Sequence, residues 1–505
     1  MAGEDNSETK KTVTRRTLRM PTRTKIVATL GPASRSLAMI RELIRAGADV
    51  FRINFSHGLP SEHSATIREV RRAARLEGRP IAILADLQGP KIRIGGLANS
   101  EPILLRRNDP LIIVAQNDLI GVKGRVGCTY DGLPEDVEPG DRVLLDDGSL
   151  EVRVVKVEGK EVHTKVRYGG LLRPGKGINL PGTKVRAPSL GPKDLFDLDF
   201  ALTHEVDYIA LSFVRSVQDV RDLRRRIATF GADVEIIAKI ERPEAVDRLE
   251  EIIDESDGVM VARGDMGVEL GPEVVPIIQK RIIAMCIDRA KPVITATQML
   301  ESMIDHPRPT RAEASDVANA IFDGSSALML SAESAAGKYP VLAVKTMDRI
   351  ARRTETELYD SGAQRMQRRS DYRRSKGGDE DISVATVGAA AMAALASGAK
   401  LVVCFTETGR TAKLLARERL PARLIAFTPR TRTYHRLSLH WGIIPMLTKR
   451  ARTPEQMYRF AEEQLLEEGH AKIGDRIVYL AGTLQVAGAT NSLTIREIRA
   501  SPDFS

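Results

Sequence analysis

Cysteine is scarce in this chain of 505 residues. The three present, Cys128, Cys286 and Cys404, stand at no paired spacing. That pattern argues against a disulfide framework or a cysteine zinc site and fits a reducing cytoplasm. Long apolar runs are missing too: no unbroken run of the about 18 apolar residues of a transmembrane helix exists. The opening segment MAGEDNSETKKTVTRRTLRMPT lacks the apolar core of a secretion signal. Its Glu4, Asp5 and Glu8 do not suit an acid-poor transit peptide. Residues 1–21 read as a flexible extension, and the expected location is cytoplasmic, with no membrane partner.

The net charge is +9. Such a balance suits nucleic acid or small anionic substrates. The densest basic run, RMQRRSDYRRSK (365–376), holds one tyrosine and no repeated aromatic pattern. A solvated linker or a subunit interface accounts for it better than a nucleic-acid tract. At 42% apolar and 28% charged residues the chain has a globular composition, and its length calls for several domains.

Short apolar runs alternate with helical segments. They are TKIVATL (24–30), VFRIN (50–54), IAILAD (81–86), YIALSF (208–213), VEIIAKI (234–240), GVMVA (258–262), PVITA (292–296) and ALMLS (327–331). None shows polar alternation, as expected of strands buried on both faces. Eight such strands predict a (β/α)8 barrel over 22–89 and 187–358, with a doubly wound sheet as the competing arrangement. Between the third and fourth strands, residues 90–186 show alternating valines, turn dipeptides and many glycines. They predict a small all-β domain inserted at the catalytic end, placed to act as a lid. A basic linker (359–378) then leads to a C-terminal α/β domain (379–505).

The strand ends carry the chemistry. The second run ends in Arg52, Asn54, Ser56 and His57, and the third in Asp86. The fifth ends in Lys239 and Glu241, two apart and so on one side of an extended chain. The sixth leads through a glycine turn to Asp265, and the seventh to Thr297. In a barrel these groups converge on one pocket. Glu241 and Asp265 are hard oxygen donors suited to one Mg²⁺, with water and substrate completing its shell; Mn²⁺ could replace it. Lys239 places positive charge where negative charge moves, and Arg52 and Arg93 can clamp phosphate or carboxylate. Backbone N–H groups around Ala262, Arg263 and Gly264 can hold a carboxylate at a helix start, and Thr297 a proton-bearing water. Metal, lysine and phosphate clamp together suggest phosphoryl transfer or enolate chemistry.

At these residues the chain resembles the pyruvate kinase family. The motifs are TKIVATLGPASRS, FRINFSHG, IIAKIERPEAV, RGDMGVEL, TATQMLESM, PRPTRAEASDVANA and MLSAESAAGKYP. The resemblance runs in order over about residues 22–500. It implies transfer of a phosphoryl group from phosphoenolpyruvate to ADP, giving pyruvate and ATP, by a homotetramer under allosteric control. By the same resemblance Arg52 meets the substrate phosphate and Lys239 the phosphoryl group in flight. Glu241 and Asp265 hold the metal, and Gly264, Asp265 and Thr297 touch substrate. Asn54, His57, Arg93 and Lys176 meet the nucleotide, near the turn at Asp146 and Asp147. The loop TETGRT, with Thr406, Thr408, Gly409 and Thr411, resembles a sugar-phosphate effector loop, closed over by AGTLQVAGATN (481–491).

The family's K⁺ ligands match Asn54, Ser56, Asp86 and the carbonyl of Leu87. Members needing K⁺ carry glutamate where this chain has Lys91. An ammonium is itself a compact monovalent cation, so Lys91 is expected to supply the charge at Asp86 and remove the K⁺ requirement. Two other readings stay open: a different Mg²⁺-dependent enolate barrel enzyme, such as a pyruvate aldolase or lyase, and nucleic-acid binding through 365–376.

Overall fold

The computed structural model describes residues 21–360, 382–451, 453–482 and 490–499. The extension 1–20, the basic run 365–376 with most of the expected linker, and the middle of the 481–491 loop lie outside them.

The chain opens with β1 (Lys25–Leu30), β2 (Val50–Asn54) and β3 (Ala82–Asp86). An insertion follows: β4 (Ile103–Leu105), β5 (Pro110–Val114), β6 (Arg125–Gly127), β7 (Arg142–Leu145), β8 (Leu150–Glu158), β9 (Glu161–Tyr168), β10 (Gly170–Leu172) and β11 (Ile178–Asn179). The chain then resumes with β12 (Tyr208–Leu211), β13 (Glu235–Ile240), β14 (Gly258–Ala262), β15 (Val293–Ala296) and β16 (Ala327–Leu330). β1–β3 and β12–β16 pair in parallel and close into an eight-stranded barrel, β1 lying between β2 and β16. All eight coincide with the expected apolar runs. The doubly wound alternative is excluded by the closure.

Every residue of β1, β3 and β12 is buried, because helices cover one face and the barrel interior takes the other. The helix Leu37–Ala46 shows how the outer ring is punctuated. The Ser36 hydroxyl accepts the N–H of Met39, and the helix stops at Gly47, whose φ of 126° disfavours any residue with a Cβ.

The insertion forms a six-stranded sheet, β11-β7-β8-β9-β5-β6, and a β10-β4 pair, with one turn of helix at Leu133–Asp136. It has its own core, with Leu111, Val126, Val143 and Val152 fully buried. The C-terminal unit is a five-stranded sheet of β17 (Leu401–Phe405), β18 (Arg423–Thr428), β19 (Ile443–Leu447), β20 (Arg476–Ala481) and β21 (Ser492–Glu497), in the order β19-β18-β17-β20-β21.

This last unit closes the N-terminal end of the barrel. Leu439 joins the barrel's interior cluster with Val27, Tyr208 and Ile237. Lys25 Nζ donates to the carbonyl of Ile443 at 2.8 Å, and the Tyr208 hydroxyl to that of Arg436 at 2.8 Å. Lys413 pairs with Glu235 at 2.6 Å. Lys25, Tyr208 and Glu235 are the first residues of their strands, so the opposite end stays open.

Candidate active site

At that open end the register sets Asp86 beside both Asn54 and Ala210. Asp86 is buried. Arg52 Nε donates to its Oδ2 at 2.6 Å, and Lys239 Nζ lies 3.4 Å from its Oδ1. Lys239 Nζ also lies 3.0 Å from Glu241 Oε1 and donates to Ser212 Oγ at 2.7 Å. Four side chains thus alternate in sign: Arg52, Asp86, Lys239, Glu241. Two hydroxyls brace the row. Ser212 donates to the carbonyl of Leu87 at 2.8 Å, and Thr29, which accepts from Arg52 at 3.2 Å, donates to that of Leu330 at 2.8 Å.

Burial alone would raise the Asp86 carboxyl, but Lys239 and Arg52 outweigh it and hold it below its usual value. Burial alone would lower the Lys239 ammonium, yet Asp86 and Glu241 raise it. Both groups are therefore charged at neutral pH. Burial pushes Glu241 up, and Asp265 adds to the push, against the pull of Lys239.

Glu241 Oε2 accepts the N–H of Phe213 at 2.7 Å, while its buried Oε1 faces the Lys239 ammonium at 3.0 Å. Asp265 stands half-buried in the first turn of the helix Arg263–Leu270. This helix begins directly after β14, so Asp265 is carried by a helix start and not by the expected glycine turn. Among the described residues no group of three or more His, Cys, Asp or Glu side chains is arranged to hold a metal ion. A buried carboxylate that shares its one ammonium with Asp86, beside a second carboxylate, still fits an oxygen-preferring divalent cation that takes its other ligands from water and substrate.

Thr297 joins this helix start to β15. The Gly264 N–H donates to Thr297 Oγ1 at 2.8 Å. Thr297 has a φ of 69°, a costly conformation for a β-branched residue. Arg263 pins it there, donating to the carbonyl of Thr297 at 2.6 Å and pairing with Asp316 at 2.7 Å.

Of the other expected residues, Asn54 Oδ1 accepts the N–H of Ser56 at 3.1 Å. His57 is exposed; partial desolvation and then Arg93, Lys91 and Arg52 hold its imidazole below its usual value. In the insertion Arg93 donates to the carbonyl of Gly175 at 3.0 Å, and Lys176 pairs with Asp146 at 2.8 Å. Asp146 and Asp147 occupy left-handed conformations, φ 51° and 53°. Lys91 does not reach Asp86, whose cationic partners are Arg52 and Lys239. Its Cε lies 3.6 Å from where a Cβ on Gly177 would stand. Backbone pairing of Ile92 with Ile178 and of Ile94 with Lys176 turns this segment toward the insertion.

In the C-terminal unit Thr406 is buried and accepts the N–H of Gly409 at 2.9 Å, while Thr408 is exposed. Thr411 is buried with its hydroxyl 2.5 Å from that of Thr490, so the two expected effector loops meet there. Glu407, between Thr406 and Thr408, pairs with Arg430 at 2.8 Å and Arg450 at 3.3 Å. Sequence reasoning missed Thr29 and Ser212. Both are hydroxyl residues one position from the end of an apolar run, a signal that was available in TKIVATL and YIALSF.

Two family profiles match the chain: the barrel domain of pyruvate kinase over residues 21–344, and its alpha/beta domain over residues 384–496. The chain is similar to the pyruvate kinase of Mycobacterium intracellulare, 45% identical over 484 residues, covering 95% of this chain and 99% of that protein. It is 44% identical over 480 residues to that of Mycobacterium tuberculosis, covering 95% and 99%. Against that of Sporosarcina psychrophila it is 43% identical over 484 residues, covering 94% and 80%.

Proposed function

The chain belongs to the pyruvate kinase family, phosphotransferases of glycolysis acting on phosphoenolpyruvate and ADP, and on that premise we propose how its residues divide the work. The observation that carries the reading is the buried row Arg52–Asp86–Lys239–Glu241 at the barrel's open end. Arg52 clamps the substrate phosphate, held in aim by Asp86 and Thr29. Lys239, kept as an ammonium, offsets the charge on the phosphoryl group as it moves. Glu241 and Asp265 hold Mg²⁺ or Mn²⁺, which would polarise the substrate's oxygens and offset charge on the enolate. Gly264 and Asp265 border the substrate carboxylate, and the Thr297 hydroxyl holds the water that gives the enolate its proton. Asn54, His57, Arg93 and Lys176 receive the nucleotide when the insertion, acting as a lid, closes.

The units are 22–89 with 187–358, 90–186 and 379–505. TETGRT is the seat of a phosphorylated effector: Arg430 and Arg450, now paired with Glu407, are cations that an incoming phosphate could take over. The assembly is a homotetramer in the cytoplasm. The helix Ile382–Ser397 supports this, since it is almost wholly apolar yet leaves Ile382, Met392 and Leu395 exposed on one chain. Among the described residues no helix is long and apolar enough to cross a membrane.

The deciding experiment is pyruvate release from phosphoenolpyruvate with and without ADP and Mg²⁺. Release that ignores ADP would mean that water accepts the phosphoryl group, and would remove the nucleotide roles assigned above. The K⁺ reading is tested separately. Lys91 does not touch Asp86, so it acts at longer range through the open end, where its charge is already felt by His57. Full activity is expected in K⁺-free buffer, and Lys91→Glu should create K⁺ dependence. A wild-type enzyme silent without K⁺ would remove Lys91 from this role.

A further inference from the structure

The insertion is joined to the barrel by two chain crossings, and the second is tied down by side chains of the barrel. Asn179, in β11, donates from Nδ2 to Glu269 Oε1 at 3.1 Å. Glu269 pairs through Oε2 with Arg242 Nη1 at 2.9 Å. Arg242 Nη2 donates to the carbonyl of Thr183 at 2.9 Å. Asn179, Arg242 and Glu269 are all buried. These three residues stand at the edge of a solvent-open cleft between the crossings and the barrel, which Ile92, Ile178 and Phe213 also line.

The placement of the two barrel residues matters. Arg242 directly follows Glu241. Glu269 lies four residues after Asp265 on the same helix, so the two share one helical face. Each carboxylate assigned to the metal therefore has a close chain neighbour holding the return crossing of the insertion. We infer that Arg242 and Glu269 are positioning residues, a latch that couples the attitude of the lid to the aim of Glu241 and Asp265. The inference rests on the metal-site and lid assignments made above. Because the lid carries Arg93 and Lys176, loosening the latch should misplace the nucleotide first and leave the phosphate clamp on Arg52 in register.

The test uses the full chain with Asn179→Ala, Glu269→Gln and the pair combined. KM for ADP and for phosphoenolpyruvate, the Mg²⁺ half-saturation and the thermal midpoint are measured for each. Asn179→Ala should raise KM for ADP and the Mg²⁺ half-saturation by about tenfold, the upper range of coupling carried by such contacts. KM for phosphoenolpyruvate should stay within about twofold, and the midpoint within about 3 °C. The pair should be less than additive, since both changes break one contact. Arg242→Lys, which keeps a charge for Glu269 but loses the fork, should fall between wild type and Glu269→Gln. Constants for both substrates worsening in step with a falling midpoint would make the network a structural tie only, and unmoved constants would remove it altogether. Wild type is run alongside. If it released no pyruvate from ADP and phosphoenolpyruvate, the reaction assignment would fall and the latch with it.

Discussion

Two buried lysines stand at opposite ends of the same barrel. At the open end Lys239 faces Asp86 and Glu241, and those carboxylates raise its ammonium despite burial. At the closed end Lys25 donates to the carbonyl of Ile443, and burial lowers it, with Asp49 and Glu355 too weak to compensate. Depth is similar; partners differ. One end surrounds a cation with charge that keeps it permanently positive. The other uses its lysine as a hydrogen-bond donor in a seal. A barrel strand thus has a chemical end and a structural end, and the partners of a buried charge tell which is which.

The comparison is broken most sharply at the open end. Lys239→Met should cut phosphoryl transfer by at least about 10²–10³-fold, the scale for losing a charge aimed at the transition state. Proton exchange on pyruvate, which needs the metal and a proton donor, should suffer less. Equal loss of both activities would count against the assigned role. Next comes the seal. Leu439→Ala should destabilise the protein by about 2 kcal/mol, the low end for a buried leucine, because a junction between units can partly collapse. Chemical denaturation reads this directly, and kcat should hardly move. The smallest effect is expected for Lys25→Met. A carbonyl loses its donor, at about 1–3 kcal/mol, but a desolvated cation disappears, so the balance should stay within about 1 kcal/mol. If Lys25→Met proved as damaging to activity as Lys239→Met, the distinction between the ends would fail.

Much of this was legible in the sequence, and the reason is local. The eight barrel strands were found because each is an uninterrupted apolar run, and the site residues because polar groups break those runs at one end. Lys239 and Glu241 could be set side by side from strand periodicity alone. Other features depend on contacts distant in the chain. Nothing near Leu439 marks it as part of a barrel that begins at Val27. The ties from Arg242 and Glu269 to the insertion join segments about 60 and 90 residues apart, beyond any window of pattern reading. Lys91 was set at Asp86 by its match to the family's K⁺ site; the backbone pairing after Pro90 carries its segment toward the insertion, and Arg52 and Lys239 are the cations paired with Asp86. β21 carries no apolar run to mark it: SLTIRE is polar at both ends and half its residues are exposed.

The stopper at the closed end also bears on how the protein is made. Val27 belongs to the first strand synthesised, and Leu439, its companion in the interior cluster, comes after the last barrel strand by roughly a hundred residues. At about 5–20 residues per second the ribosome holds a barrel with an unfinished floor for roughly 5–20 s. During that interval the apolar inner rim around Tyr208 and Ile237 faces water or a chaperone. Completion of the barrel therefore waits on the final domain, and a nascent chain that stops short of residue 439 should be held by chaperones or degraded rather than released as a free catalytic unit.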